Sequence, residues 1–270
     1  MRLRDLVPGP VLAARRRVVR SRLSMDDLWR RELPTEVAYW DKVLATRGLD
    51  SPAYFERSLD PTAPIVDPAL AAAIDAVARD VVDVVDVGAG PLPSTGKRHD
   101  GKELRIVATD ALGSAYDELL ARHRIEPPLR TVACRGEDLI AHFGPARFDV
   151  AYARNSVDHS ADPVAVVRAM AGVVRPGGVV LLRHYVNEAV NEHYEELHQW
   201  NFELRDGRPV VWNRRATHDL TVVLGDLVAL EDARIEPNPA AGAHADWLVV
   251  VLRRREPGPG GKASTGIEPV

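Results

Sequence analysis

Hydrophobic residues from position 69 onward alternate between helix-like and strand-like spacing. Short runs of β-branched residues, such as 82–87 and 105–110, are typical of strands buried on both faces of a sheet. Strands separated by helices imply right-handed crossovers and a parallel sheet, so the pattern predicts an α/β fold. Strands are predicted at residues 82–87, 105–110, 130–134, 148–154 and 178–184, and helices at residues 69–79, 114–123 and 163–174.

The residues before this alternation have a different pattern. Residues 25–48 carry apolar side chains at helical spacing. We expect residues 25–27 to cap the start of this segment, Pro34 to divide it into two helices, and Gly48 to end it. Because the segment precedes the first core strand, we predict that it packs over the strand ends as a lid. The basic residues 1–24 are either a helix that docks on a membrane surface or a polyanion, or a solvated arm.

The residues after the fifth predicted strand indicate three further features. Residues 198–214 contain an Asp-Gly pair between two apolar runs, which predicts a β-hairpin insertion. Residues 227–236 and 246–254 predict two strands that pair antiparallel at the edge of the sheet. Residues 256–270 are rich in proline and glycine, which predicts a disordered tail. The predicted units are an arm and lid at residues 1–68, the main domain at residues 69–255 and the tail at residues 256–270.

Composition narrows the class of protein. A chain of 270 residues fits one large domain or one domain with additions. The formal net charge of −4 argues against a protein that coats nucleic acid. Cys134 is the only cysteine, so an intramolecular disulfide is excluded and a cytoplasmic protein is expected. The sequence has no apolar run long enough to cross a bilayer and no signal-peptide pattern, so no transmembrane segment is expected.

A glycine-rich turn follows the first predicted strand. Residues 84–91 read VVDVGAGP, and glycines in such a turn let the backbone approach a ligand closely. Asp110 ends the second predicted strand, where a carboxylate can hold the two hydroxyls of a ribose. The two features together predict that a nucleoside lies across the strand ends. A tight strand-to-helix turn without any ligand is the alternative.

The residues around the glycines indicate which nucleoside this is. A dinucleotide fingerprint has the form G-x-G-x-x-G and opens a helix that faces a pyrophosphate. Here Pro91 and Pro93 disrupt the first turn of such a helix, and Gly96 comes too late to be the third glycine. Asp86 would repel a pyrophosphate but suits the ammonium group of an amino acid. These residues favour S-adenosylmethionine over a dinucleotide, and they disfavour a dehydrogenase-like enzyme.

The order and spacing of these features resemble a known family. Residues 84–91 resemble motif I of class I S-adenosylmethionine-dependent methyltransferases, Asp110 resembles the motif II acid, and residues 174–182 (VRPGGVVLL) resemble a later signature of that family. The resemblance covers about residues 69–185. It implies a Rossmann-like sheet, mostly parallel with an antiparallel edge strand, and S-adenosylmethionine as cofactor. The expected cofactor-binding residues are Asp86, Gly88, Ala89, Gly90, Pro91, Asp110, Ala111, Gly136, Glu137, Asp138, Arg154 and Asn155.

The chain departs from the family pattern after the third predicted strand. The family usually has Gly-Asp-Ala there, and its Asp contacts the adenine amino group. The spacing puts Arg135 at that position, and an arginine side chain cannot accept a hydrogen bond. We therefore expect Glu137, Asp138 or a backbone carbonyl to accept from the adenine, while the Gly136 amide could reach a ring nitrogen.

Polar residues at the ends of the fourth and fifth predicted strands are candidates for the methyl-acceptor side. His159 or His184 could accept the proton of a hydroxyl. The alternative for His159 is that it only orients the next helix, which Asp162 is expected to cap. Trp200 could equally pack the hairpin. The expected acceptor-binding residues are Asp158, Glu188, His198, Trp200 and Asn201.

Two of these residues also suggest a metal. Asp158 and Glu188 follow the fourth and fifth predicted strands, and two carboxylates at those positions could hold Mg²⁺. The region from residues 33–37 through 197–202 resembles a bacterial subset of the family that is linked to polysaccharide or sugar pathways. The resemblance implies O-methylation of a hydroxyl on a sugar, a glycan or another polar small molecule.

Other functions and assemblies stay open at this point. N- or C-methylation of a natural-product intermediate is the alternative within the enzyme class. A methyltransferase-like binding module without activity is the alternative outside it. A homodimer is compatible with the sequence.

Overall fold

The structure is a computed structural model that describes residues 22–49, 51–238 and 245–256. Most of the predicted basic arm at residues 1–24 and almost all of the predicted tail therefore lie outside the described residues. The strands are β1 Val81–Val87, β2 Glu103–Asp110, β3 Thr131–Ala133, β4 Phe148–Arg154, β5 Val174–Tyr185, β6 Asn201–Arg205, β7 Arg208–Trp212, β8 Thr217–Asp219, β9 Val228–Glu236 and β10 Trp247–Arg254. The α-helices are α1 Met25–Ala45, α2 Pro52–Leu59, α3 Pro68–Asp75, α4 Gly113–His123, α5 Leu139–Phe143, α6 Pro163–Val173, α7 Glu188–Asn191 and α8 Leu220–Val223.

Seven strands form the main sheet in the order β3-β2-β1-β4-β5-β10-β9. The first five of these run parallel, and β10 pairs antiparallel with both β5 and β9. The predicted fold class, a mostly parallel Rossmann-like sheet with antiparallel pairing at its edge, is confirmed. The topology also matters for function, because the carboxyl ends of β1, β2, β4 and β5 lie at the same edge of the sheet.

Apolar side chains on both faces of the central strands pack against helices on either side of the main sheet. Val85 of β1 belongs to the same buried cluster as Val167 and Met170 of α6. Its neighbour Val84 belongs to the cluster that contains Leu70 and Ile74 of α3. Successive side chains of a strand point to opposite faces, so these two clusters are the two layers of the core.

The predicted hairpin is part of a second, three-stranded sheet. Strands β6 and β7 pair antiparallel around Asp206 and Gly207, which both have positive φ angles, as the Asp-Gly pair predicted. The sequence pattern did not predict β8, which adds to β7 and contains only three residues. Phe202 of β6 and Val211 of β7 are buried in the main core, which fixes this sheet against the domain.

The N-terminal helix differs from the prediction. Pro34 does not divide the segment, because α1 continues through it as a single helix of 21 residues. The side chain of Ser24, rather than a residue from 25–27, accepts the backbone N–H of Asp27 at the helix start. Proline removes only one intrahelical hydrogen bond. Leu28 before it and Leu44 after it are both buried, so each half of the helix has its own packing.

Two smaller differences lie beside this helix. The predicted end at Gly48 is close to the observed one, since α1 ends at Ala45 and a left-handed turn at Arg47 and Gly48 follows. Helix α3 is shorter than predicted and ends at Asp75. Within the described residues, every helix is too short or too polar to span a membrane.

Candidate active site

A cavity of about 680 Å³ opens at the carboxyl ends of the parallel strands. Its walls come from the loops after β1, β2, β4 and β5, from α1, and from the segment before β6. Ligands of open α/β sheets bind at this edge. Ten of the twelve residues predicted to bind the cofactor line the cavity: Asp86, Gly88, Ala89, Gly90, Asp110, Ala111, Gly136, Glu137, Arg154 and Asn155.

Asp86 and Asp110 are the two carboxylates of the cavity wall beside the glycine loop, where we predict the cofactor. Asp86 is buried and accepts a hydrogen bond from the Thr95 hydroxyl. Asp110 accepts backbone N–H groups from Leu112 at 2.9 Å and from Gly90 at 3.2 Å. Burial raises the pKa of each of these carboxyls to about 6. Both side chains have lone pairs left, so they can hold a ligand that brings hydroxyls or a positive charge.

The glycines of the β1 loop are required by their protein neighbours. A side chain at Gly88 would place its Cβ 2.4 Å from the Cβ of Ser156, and one at Gly90 would lie 2.8 Å from the Trp40 ring. Both residues also have positive φ angles, which favour glycine. We predicted that Gly88 lies against the cofactor. The structure adds that it makes room for the loop after β4, where the Ser156 hydroxyl donates to the Val87 carbonyl at 2.7 Å.

The loop after β3 explains the unusual arginine. The Arg135 guanidinium lies 3.3 Å from the Glu137 carboxylate and 3.4 Å from that of Asp26, and it stacks 4.4 Å above the Trp29 ring. Asp26 and Trp29 belong to α1, so Arg135 ties the N-terminal helix to this loop. Glu137 and Gly136 line the cavity, whereas Asp138 does not. Pro91, like Asp138, was predicted to bind the cofactor but does not line the cavity, because its side chain is buried.

Three imidazoles surround Asp158, which lies in the loop after β4. Its Oδ2 is 3.4 Å from His159 Nε2 and 3.4 Å from His198 Nδ1, and its Oδ1 is 3.5 Å from His184 Nδ1. His159 Nε2 and His198 Nδ1 are themselves 3.0 Å apart. Asp158 is buried, while His159, His198 and Glu188 line the cavity. We call Asp158, His159, His198 and Glu188 the acceptor-side cluster.

The charges of this cluster are strongly coupled. Burial alone would raise the pKa of Asp158, but His159, His184 and His198 hold it well below its usual range. Burial alone would lower the pKa of His198, but the Asp158 carboxylate raises it to about 9. Burial and the Asp158 charge together raise the pKa of Glu188 to about 8. The cavity wall can therefore both accept and donate protons near neutral pH.

Three further predicted site residues, besides the buried Asp158, lie away from the cavity. His184 is 1 % exposed, stacks on Phe202 at 4.2 Å and faces Asp158, because its position on β5 points into the core. Trp200 packs in the core instead of facing an acceptor. Asn201 is fully buried and bonds backbone groups of Val190 and Trp212, so it holds the loop before β6. These three side chains are therefore not part of the cavity wall, and their predicted roles toward an acceptor stay predictions.

Sequence reasoning missed the aromatic part of the wall. Trp40 of α1, Tyr54 of α2 and Tyr116 of α4 line the cavity beside the glycine loop. Tyr185 and Trp247 line it on the other side of the sheet edge, with their rings stacked 3.9 Å apart. Helical spacing marked Trp40 as apolar, but an apolar position predicts burial and does not distinguish the core from a cavity wall.

Comparison with known proteins agrees with this geometry. Residues 85–182 match the family model of a methyltransferase domain. The chain is similar to the structure of a Burkholderia thailandensis 1,6-didemethyltoxoflavin-N1-methyltransferase, with 20% identity over 82% of this chain and 89% of that chain and a TM-score of 0.46. It is similar to the N-methyltransferase NodS from Bradyrhizobium japonicum WM9, with 13% identity over 65% and 86% of the chains and a TM-score of 0.41.

A third similar structure is an S-adenosylmethionine-dependent methyltransferase from Mesorhizobium loti, with 17% identity over 69% of this chain and 96% of that chain and a TM-score of 0.45. No curated protein matches the sequence. The matched segment runs from β1 to β5 and contains the glycine loop, Asp110 and the loop that carries Asp158. Residues 85–182 are thus matched by a methyltransferase domain, and S-adenosylmethionine is the cofactor that this match supports.

Proposed function

We propose that this protein transfers a methyl group from S-adenosylmethionine to a hydroxyl of a sugar, a glycan or another polar small molecule. One observation carries the proposal: the acceptor-side cluster lies on the wall of the same cavity as Asp86 and Asp110. A hydroxyl must lose its proton as it is methylated, and imidazoles beside a buried carboxylate are suited to take it.

On the cofactor side, each part of S-adenosylmethionine has a suitable partner. Asp110 would hold the ribose hydroxyls, and Asp86 would face the α-ammonium group. The Gly136 amide and the Glu137 carboxylate would contact the adenine. When bound, the cofactor supplies an electrophilic methyl group and a neutral thioether as leaving group. The protein contributes mainly by holding the acceptor oxygen in line with that methyl group.

On the acceptor side, the proposed base is His159, supported by its partners. The acceptor oxygen would form its bond to the methyl carbon while its proton passes to His159, because the raised pKa of His198, about 9, leaves that imidazole protonated at neutral pH. Asp158 stabilises the positive charge that then develops on His159. His184 is a positioning residue, because it contacts Asp158 from the core.

The polarity of the wall supports a polar acceptor. Arg154, Asn155 and Glu188 line the cavity and offer donors and acceptors to hydroxyl groups. Trp247 is buried beneath Arg154 and Arg183, so the half-buried Tyr185 ring that stacks on it would be the surface for the C–H side of a sugar ring. Tyr185, and not the buried Trp200, is thus the aromatic residue proposed to contact a sugar ring.

We also propose that residues 1–68 comprise the basic arm and a lid that begins with α1, with the methyltransferase domain at residues 69–255. The support is that Trp29, Glu36 and Trp40 of α1 line the cavity. Removal of water by such a lid would strengthen the polar contacts inside. The cytoplasmic location expected from the single cysteine and the homodimer stay predictions.

The experiment that tests this function uses the full chain. Calorimetry should detect binding of S-adenosylmethionine. Incubation with isotope-labelled S-adenosylmethionine and a panel of sugars and nucleotide sugars, followed by mass spectrometry, should yield an O-methylated product. His159→Asn should lower turnover by roughly 10²–10⁴-fold, the range for a lost general base, with cofactor affinity unchanged. His142→Asn is the matched control, since His142 is exposed and does not line the cavity.

Other outcomes would redirect the proposal. A label found on nitrogen or carbon would replace O-methylation by one of the alternatives within the enzyme class. Binding of the cofactor without turnover on any acceptor class would favour a methyltransferase-like module without activity. Failure to bind S-adenosylmethionine would overturn the proposed function.

A further inference from the structure

Three atoms of the acceptor-side cluster converge on one point. His159 Nε2, His198 Nδ1 and Asp158 Oδ2 form a triangle with sides of 3.0, 3.4 and 3.4 Å. Each of these atoms carries a lone pair when the imidazoles are neutral and the carboxyl is ionised. Among the described residues, the same three side chains form a group whose ligand atoms are close enough to share one metal ion.

The size of the triangle fits metal coordination. Imidazole nitrogen and carboxylate oxygen bind Zn²⁺ at about 2.0–2.2 Å. At bond angles between octahedral and tetrahedral values, two such ligand atoms lie about 2.9–3.5 Å from each other. The three sides of the triangle all fall in this range.

We propose that Asp158, His159 and His198 bind one divalent first-row transition-metal ion, such as Zn²⁺, at the wall of the cavity. Two imidazoles and one carboxylate form a ligand set that suits Zn²⁺, Fe²⁺ or Co²⁺ and not Mg²⁺, which prefers oxygen ligands and retains its waters. The Mg²⁺ site expected from Asp158 and Glu188 is thereby replaced by a site for a softer ion with a partly different ligand set.

The position of the ligands indicates a site with open coordination positions. Structural zinc sites have four protein ligands, whereas catalytic sites have three and leave a position for water or substrate. Asp158 lies beneath the wall, and His159 and His198 line the cavity, so a fourth ligand would enter from the cavity side. Glu188 Oε1 is 3.9 Å from His198 Nδ1, close enough to contact a ligand at that position.

The proposal deepens the proposed function, on which this role of the ion rests. A divalent ion lowers the pKa of a bound water or hydroxyl, so an acceptor hydroxyl on the ion would lose its proton more readily. His159 would then be a ligand and not the base, and the proton of the acceptor hydroxyl would pass to water in the open cavity as the oxygen bonds the methyl carbon and the thioether leaves. The two roles differ in one measurable respect, because a chelator stops turnover only if the ion is required.

A second contact supports the site from the core. His184 Nδ1 lies 3.5 Å from Asp158 Oδ1, the carboxylate oxygen that points away from the triangle. Such outer partners orient a metal ligand, and their replacement costs about 10–100-fold in metal affinity. This gives His184 a role that its burial at 1 % exposure allows.

The test is a metal titration of the full chain without cofactor or acceptor. The chain is first treated with a chelator and then titrated with Co²⁺, followed by visible absorption and by elemental analysis after gel filtration. We expect one Co²⁺ per chain, d–d bands of a four- or five-coordinate site, and displacement by Zn²⁺. His159→Asn and His198→Asn should each weaken binding by more than the about 10–100-fold expected for an outer partner.

Controls keep the result interpretable. His142→Asn should titrate like the wild type, and His184→Gln should retain the absorption bands with weaker binding. Circular dichroism and thermal unfolding check that each variant folds. If Asp158→Asn fails to fold because its carboxylate is buried, the two histidine variants at the cavity wall still decide. Equal Co²⁺ affinity of the wild type and the His159→Asn/His198→Asn double variant would overturn the proposal.

The same preparation separates this inference from the proposed function. Cofactor binding is measured by calorimetry in the metal-free and the metal-loaded protein. Binding of S-adenosylmethionine without specific binding of Co²⁺ would overturn the metal site and leave the methyltransferase function intact. Specific Co²⁺ binding without cofactor binding would support the site and overturn the function.

Discussion

The two sides of the cavity use buried carboxylates in opposite ways. On the cofactor side, Asp86 and Asp110 receive only a hydroxyl and backbone amides, and burial raises the pKa of each to about 6. On the acceptor side, three histidines hold the pKa of Asp158 well below its usual range. The first pair is therefore poised for a ligand that brings charge or hydroxyls, whereas Asp158 already has its partners in the protein.

The two kinds of carboxylate should contribute differently to the stability of the fold. A buried charge that is satisfied by the protein stabilises the fold, and its loss leaves the partners unpaired. A buried carboxylate whose main partner is a ligand contributes little to the stability of the fold and much to the affinity for that ligand. We therefore expect Asp158 variants to be detected mainly by unfolding experiments, and Asp110 variants mainly by binding experiments.

The largest effect is expected for Asp158→Asn. Three imidazoles would lose their buried carboxylate, so the free energy of unfolding should fall by about 3 kcal/mol, the lower end for breaking a buried pair. Turnover should be lost as well, since His159 and His198 lose their common partner. Denaturant unfolding and turnover per folded molecule are the measurements.

Asp149→Asn is the matched control for this prediction. Asp149 is also buried, is ion-paired with Arg79 and Arg175, and lies at the opposite end of β4. Its replacement should cost stability and leave turnover per folded molecule unchanged. A variant of Asp158 that is as stable and as active as the wild type would remove the distinction between the two sides.

The second prediction concerns the cofactor side. Asp110→Ala removes charge-assisted hydrogen bonds to the ribose, each of which contributes about 1.5–3 kcal/mol. Calorimetry should detect a loss of S-adenosylmethionine affinity of at least about tenfold, with a smaller change in stability than Asp158→Asn causes. Asp138→Ala is the control, because Asp138 does not line the cavity. Unchanged affinity in folded Asp110→Ala would refute the assignment.

The third prediction concerns the pH dependence of cofactor binding. Burial raises the pKa values of Asp86 and Asp110 to about 6, and the contacts proposed for them with the cofactor need both carboxyls in the ionised form. Affinity for S-adenosylmethionine should therefore fall as the pH drops below 6, by about tenfold for each group at one unit below its pKa. Calorimetry between pH 5 and pH 7.5 is the measurement.

The pH dependence of stability should be opposite in sign to the pH dependence of cofactor binding. Because these pKa values are raised above those of the unfolded chain, the folded state binds more protons between about pH 4 and pH 6. The contribution of these two groups to stability therefore increases as the pH falls. A loss of affinity at pH 5 without a fall in melting temperature would identify titration of the site, whereas constant affinity over the range would contradict the raised pKa values.

The two sides also differ in how far the sequence predicts them. The cofactor side is local in sequence: a strand, a glycine loop and the acid of the next strand follow within 30 residues of one another, so Asp86 and Asp110 were predicted with their neighbours. Strand β4 was predicted with its observed ends, because a buried apolar run stops at Arg154. Here the local pattern and the tertiary structure agree.

The acceptor side joins residues that are about 40 positions apart, and the pattern could not show how they meet. His159 and His198 were both candidates, but their contact depends on the path of the loop before β6. His184 alternates with Arg183 along β5, and periodicity alone does not tell which of the two points into the core. The short strand β8 was missed because its three residues form a strand only by pairing with β7.

The smallest effect is expected for Glu137→Ala. We propose that Glu137 takes the place of the acid that the family has at the position of Arg135, so its carboxylate should accept from the adenine amino group. One such hydrogen bond contributes about 0.5–1.5 kcal/mol, so cofactor affinity should fall about two- to tenfold. Glu137 also contacts Arg135 at 3.3 Å, which in turn contacts Asp26 of α1, so an effect through the lid is the competing explanation.

Two comparisons distinguish these explanations. Asp26→Asn removes the other carboxylate partner of Arg135 without touching the cavity. If Glu137 acts through Arg135, Asp26→Asn should weaken cofactor binding as much as Glu137→Ala does. If Glu137 contacts the adenine, Asp26→Asn should bind normally, and Glu137→Ala should lose nothing toward a cofactor analogue whose adenine is replaced by unsubstituted purine, which lacks the 6-amino donor. The coupling between variant and analogue measures that single contact, because each change alone removes the same hydrogen bond.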